Sequence, residues 1–180
     1  MQQSKAEEKI ILQEYDYTEE ESELLDLLAF DFYIATYHRT AEVNGIYLNL
    51  YQLKDGVWED IGSMGAGVFD DTEALDGKLA VQLQEDDAVW LSVQSDDGSN
   101  VLSKLEELKI DIADKKRSEV SLHESQEIAL NEETVIRIIA VDEKQRIEME
   151  LNDFYETKKF EDLDLVLAVT VTFSDQWGED

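Results

Sequence analysis

Hydrophobic and polar residues alternate along much of this chain. In "GIYLNLYQL" (45–53), Ile46, Leu48 and Leu50 fall on one side, and Tyr47, Asn49 and Tyr51 on the other. Successive side chains of an extended strand point to opposite faces, so a period of two predicts a strand with one face in a core. The pattern recurs in "KLAVQLQ" (78–84), in "AVWLSVQS" (88–95) and in "LAFDFYIATY" (28–37), where Leu28, Phe30, Phe32 and Ile34 form the more apolar set. The last strand carries it furthest, with Leu163, Leu165, Leu167, Val169, Val171 and Phe173 on one face and Asp164, Val166, Ala168, Thr170 and Thr172 on the other. "KIILQEY" (9–15) reads as a first strand, and "EVSLHES" and "EIALNEETVIRIIAVDE" as two or three more, strongest over 134–141.

Turn chemistry punctuates these runs. Asp55-Gly56 predicts a two-residue hairpin turn, because both central residues of such a turn take positive φ. That turn pairs Leu53 with Trp58, Tyr51 with Asp60 and Leu50 with Ile61, with Val57 and Ile61 joining the core face. It also sets Tyr47, Tyr51 and Trp58 together on the face opposite the core, as an exposed aromatic platform or a covered second face. "GSMGAG" follows as a bulged strand exit. Helical signals are few. Thr18 and Glu21 have capping-box spacing, Leu102, Leu105 and Leu108 sit three apart, and a helical turn is expected near 158–162.

Together these patterns predict a mainly β fold: a two-layer antiparallel sandwich, jelly-roll or immunoglobulin-like, of about eight or nine strands with one or two short helices. The expected organisation is a flexible tether (1–8), a single β-sandwich domain (9–175) and a short tail (176–180). The expected core includes Phe30, Phe32, Leu48, Leu50, Val81, Leu91, Val93, Ile138, Leu167, Val169 and Val171.

Charge narrows the partners. Asp and Glu number 44 against 15 Lys and Arg, a net of -29. Nucleic acid and anionic membranes both need clustered basic residues, so neither is an expected partner. The lone basic cluster is Lys115-Lys116-Arg117. An acidic mimic of nucleic acid is the cytoplasmic alternative. No run is apolar enough over about 20 residues to span a bilayer as a helix. The chain has no Cys, which excludes thiol chemistry and Cys-ligated metals, and no Pro.

Candidate chemistry is sparse. The glycines of "GSMGAG" lack the strand–helix context of a dinucleotide site, and carboxylates follow them. His38 and His123 have no clustered partner for zinc, and no nucleophile elbow accompanies any serine. Calcium takes six to eight oxygens, several often from one loop, and the loop 70–77 offers Asp70, Asp71, Glu73 and Asp76. Apart from calcium at that loop, no cofactor is expected. Trp58, Trp90 and Trp177 are the aromatic candidates for a sugar-binding face.

The segment "LNLYQLKDGVWEDIG", followed by "GKLAVQLQ" and closing with "AVTVTFSD", resembles uncharacterised secreted or lipid-anchored proteins of Gram-positive bacteria. In those, strand–"DG-x-W"–strand hairpins build small all-β ectodomains. "QQSKAEEK" is similar to the polar tether that follows their lipid-modified cysteine, with Met1 in the place of that residue. The resemblance implies a non-catalytic binding or structural module at a bacterial cell surface, lipid-anchored in its native form, with a protein or polysaccharide partner. A calcium-stabilised β-domain is the alternative.

Overall fold

A computed structural model describes residues 9–28, 31–68, 75–83, 88–105 and 115–178. The strands are β1 (Ile10–Glu14), β2 (Asp31–His38), β3 (Gly45–Lys54), β4 (Val57–Gly67), β5 (Asp76–Leu83), β6 (Val89–Ser95), β7 (Asn100–Lys104), β8 (Lys116–Ser121), β9 (Gln126–Ile128), β10 (Glu133–Asp142) and β11 (Leu165–Ser174). One α-helix, α1 (Glu19–Leu28), joins β1 to β2. The strands form two antiparallel sheets, in the orders β7-β6-β5-β2-β1-β9 and β4-β3-β11-β10-β8. The fold is therefore a β-sandwich, with β7 adding a short edge to the expected strand set.

The inward faces of both sheets meet in one cluster. It takes Leu12, Ala35, Leu79, Val81, Leu91 and Val93 from the larger sheet, and Ile46, Leu48, Leu50, Leu167, Val169, Val171 and Phe173 from the smaller. In β2 the alternation chose the wrong face. Tyr33, Ala35 and Tyr37 point inward, while Phe32 is only half-buried and Phe30 lies outside the described residues. A tyrosine can be buried when its hydroxyl finds an acceptor. Tyr33 donates to the Leu122 carbonyl at 3.0 Å, and Tyr37 to that of Gln94 at 3.3 Å. Tyr37 pairs across the ladder with Gly77, where a Cβ would sit 2.3 Å from the Tyr37 hydroxyl oxygen.

The smaller sheet is buried on both faces over much of its area. In β11, Leu165 through Val171 are all buried, which corrects the expectation of a half-exposed last strand. The 143–164 connection between β10 and β11 causes this by folding back over the outer face. There Ile138, Ala140, Val166 and Ala168 pack with Phe160, Phe154, Met149 and Ile147 in a second apolar cluster. Ile138, expected in the core, is fully buried in this outer cluster and not between the sheets.

Specific bonds seat the connection. The Asp164 carboxylate accepts from the Glu143 backbone N–H and from Lys115 Nζ, each at 3.0 Å, which clasps the two ends together. The Ile147 N–H donates to Ser118 Oγ on β8, and Thr157 Oγ1 donates to the Gly56 carbonyl at the far hairpin tip. Between these anchors run two 3₁₀ turns, Leu151–Tyr155 and Thr157–Phe160, where one helical turn was expected.

The β3–β4 hairpin has the expected two-residue turn, with φ of 51° at Asp55 and 79° at Gly56. Leu53 pairs with Trp58 and Tyr51 with Asp60, as predicted. Leu50 then pairs with Gly62, because Ile61 is the extra residue of a bulge. Gly62 suits that position: a Cβ there would meet the Leu105 side chain at 3.0 Å. The strand continues through "GSMGAG" to Gly67 and does not end before it. Val57, expected in the core, is 64% exposed at the hairpin tip. Residues 101–104, expected as the start of a helix, belong to strand β7, and residues 106–110 lie outside the described residues. The capping box before α1 is present, with the Thr18 N–H bonded to Glu21 Oε2 and the Glu21 N–H to Thr18 Oγ1.

If the connection is a true second core layer, its anchors must carry stability. Phe160 is 2% exposed, and Phe160→Ala should cost about 3–5 kcal/mol in denaturant unfolding. Tyr155, 68% exposed on the same segment, should lose no more than about 0.5 kcal/mol on truncation to Ala. Equal small losses for both would contradict this packing.

Candidate functional site

The outer face of the smaller sheet divides along its strands. At one end the β10–β11 connection covers it, and there Trp58 stacks on Phe154 with ring centroids 4.9 Å apart. The indole Nε1–H of Trp58 donates to the Phe154 carbonyl at 2.8 Å. Tyr51 meets the edge of the same Phe154 ring, at 6.2 Å. So Tyr51 and Trp58 belong to the covered end, where phenylalanine meets their rings.

Tyr47 stands at the other, open end. Its partner there is Trp177, just past β11, with ring centroids 5.7 Å apart and planes tilted by 32°. Trp177 is 41% exposed and lies across Gly45, Gly65 and Gly67. A Cβ on Gly67 would fall 2.6 Å from the indole, so the late glycines of β4 form a flat floor for this ring. The tail carrying Trp177 is tied down by Asn44 Nδ2 donating to the Asp175 carbonyl at 2.6 Å and by Tyr47 Oη donating to that of Gln176 at 3.3 Å. Beside the rings opens a groove of about 620 Å³ whose polar walls include Asn49, Asp60, Ser63, Thr172 and Ser174.

A carboxylate marks the junction between the covered and open ends. Glu133 Oε1 accepts from Tyr51 Oη at 2.7 Å, Thr170 Oγ1 at 2.7 Å and Asn49 Nδ2 at 3.2 Å. Desolvation pushes the Glu133 carboxyl up, but the bonds from Thr170, Tyr51 and Asn49 outweigh it and hold the group below its ordinary value. Desolvation, the bond to Glu133 and the nearby negative charges together push the Tyr51 phenol up to about 12. The β10–β11 register is what gathers these groups, since Val135 pairs with Thr170 and Glu133 with Thr172. In sequence, Glu133 is one acid among many, next to another at Glu132, and nothing singles it out.

The other candidates lie apart from the groove. His38 Nδ1 lies 2.6 Å from Asp76 Oδ1, on a smaller cavity of about 400 Å³ with Gln13, Thr36 and Lys78 on the larger sheet. His123 Nδ1 is 2.8 Å from Glu14 Oε2 at the surface. Of the carboxylates considered for calcium, Asp70, Asp71 and Glu73 lie outside the described residues, and Asp76 is the partner of His38. Among the described residues no group of three or more His, Asp or Glu is arranged to hold a metal, and no helix is long and apolar enough to cross a membrane. The basic cluster serves ion pairs, with Lys115 beside Asp164 and Arg117 beside Glu119. Compared with protein-family models, with curated proteins and with solved structures, the chain finds no match.

The Glu133 junction has a pH signature. A carboxyl whose folded pKa is depressed contributes stability above its unfolded value, here near 4.5, and that contribution is lost as pH falls through the folded value. Glu133→Gln should therefore be less stable than the native chain at neutral pH, with the gap narrowing below about pH 4.5 as native Glu133 takes up a proton. Urea unfolding of both proteins across that range checks it. A gap independent of pH would remove the ionised Glu133 from the account.

Proposed function

We propose that this chain is a non-catalytic binding module of a bacterial cell surface, and that it takes a polysaccharide in the open groove on its smaller sheet. The carrying observation is the Tyr47–Trp177 pair on a glycine floor beside a row of polar side chains. Sugar rings offer apolar C–H faces and a rim of hydroxyls. An aromatic pair with Trp177 exposed and Tyr47 half-buried suits the first, and Asn49, Asp60, Ser63 and Thr172 suit the second. Most of the groove sits on strands, and the tail that carries Trp177 is tied down by Asn44 and Tyr47, so its side chains are held before a ligand arrives and little ordering is needed on binding.

Binding without catalysis is supported by the state of Glu133. A carboxylate held ionised by three donors is poorly suited to deliver a proton to a leaving group near neutral pH. The surface location rests on the resemblance of the Asp-Gly-x-Trp hairpin and N-terminal segment to lipid-anchored ectodomains of Gram-positive bacteria. The high net negative charge disfavours anionic ligands and leaves neutral or cationic ones.

Affinity electrophoresis through gels carrying different polysaccharides tests this reading. At least one neutral or cationic glycan should retard the native chain, and Trp177→Ala should abolish the retardation while the variant stays folded by circular dichroism. Retention of the full effect in Trp177→Ala, or retardation by no glycan, would refute it.

A further inference from the structure

We propose that the groove selects a polysaccharide with free amines, a de-N-acetylated amino-sugar polymer, over its acetylated counterpart. This rests on the binding reading above and goes further in naming the ligand chemistry. Among the described residues that line the groove there is no Lys or Arg, whereas Asp60 lines it directly. Glu133 adjoins it through the bond from Asn49, itself a lining residue.

The two carboxylates are committed at one oxygen each. Asp60 Oδ1 accepts the Gly62 N–H at 2.9 Å, which fixes the side chain against the bulge. All three donors to Glu133 go to Oε1. Among the described residues no donor reaches Oδ2 of Asp60 or Oε2 of Glu133, which leaves their lone pairs for a further donor. An ammonium group has three donors and no acceptor, so it complements such oxygens, while an acetamide presents one N–H and a carbonyl that carboxylates repel. The aromatic faces of Tyr47 and Trp177 favour a cation as well, since the ring quadrupole attracts positive charge. The aromatic pair explains the sugar ring, and Asp60 in the groove with Glu133 beside it explains the amine.

Calorimetric titration with glucosamine hexamer and with its fully N-acetylated equivalent tests the inference. Both are run at a pH where the amines are protonated and at about 0.15 M salt, so that long-range attraction is screened. The amine oligomer should bind at least about tenfold tighter. Asp60→Asn and Glu133→Gln, verified as folded by circular dichroism, should each remove most of that preference, and Trp177→Ala should weaken both oligomers. Glu161→Gln and Asp162→Asn, exposed acids on the β10–β11 connection, should leave the preference unchanged.

Equal affinity for the two oligomers overturns the amine inference and leaves the binding reading standing. A preference that survives both Asp60→Asn and Glu133→Gln also overturns it, because the attraction then belongs to the acidic surface as a whole. Binding of a lysine peptide as tight as the amine oligomer, with the same dependence on Asp60 and Glu133, overturns the assignment to a glycan. If neither oligomer binds, nor any glycan in the gels, both readings fall.

Discussion

The structure depends on burying both faces of one sheet. β10 and β11 are near-continuous apolar runs, and a sandwich alone covers only one side of each. Antiparallel sheets commonly leave their second face to water, with polar residues there. Here Ile138, Ala140, Val166 and Ala168 occupy that second face and require a cover, which the β10–β11 connection supplies with Phe154 and Phe160. Once the connection is seated, the position of Trp58, the orientation of Tyr51 and the limit of the exposed surface all follow.

The cover stops where the chemistry of β11 changes. Its outer-face residues run Val166, Ala168, Thr170, Thr172, Ser174, from apolar to polar. Thr170 is fully buried yet satisfied, because its hydroxyl reaches Glu133. This half-buried hydrogen bond to a carboxylate closes the apolar layer and begins the groove. A surface next to a doubly buried sheet has its side chains held by packing, which is what a preorganised site would need.

Much of the fold was legible from residues. Alternation located most strands, and Asp55-Gly56 gave the register that puts Tyr47, Tyr51 and Trp58 on one face. What covered that face was not legible, because it is decided by a segment about a hundred residues away. Phe154 carries no local sign that it will stack on Trp58. β2 shows a different limit. Period two defines two faces without saying which is inward, and side-chain hydrophobicity favoured phenylalanine where hydrogen-bonded tyrosines won. The glycines of "GSMGAG" signalled a bulge, but its place at Ile61 was not legible, since the Asp60 side chain that caps the Gly62 N–H gives no local sign of doing so. Glu133 and Trp177 could have been weighed more heavily only by knowing the long-range register of β10, β11 and β3.

The central claim is that the open end of the outer face, and not its covered end, receives a ligand. The three tryptophans report on it separately: Trp177 in the groove, Trp58 under Phe154, and Trp90 on the other sheet beside Lys104. The indole N–H resonances in a nitrogen–proton correlation spectrum, followed while glucosamine hexamer is added, distinguish them. The account predicts a saturable shift of the Trp177 resonance with Trp58 and Trp90 nearly still. A shift centred on Trp58 or Trp90, or uniform drift of all three, would contradict it.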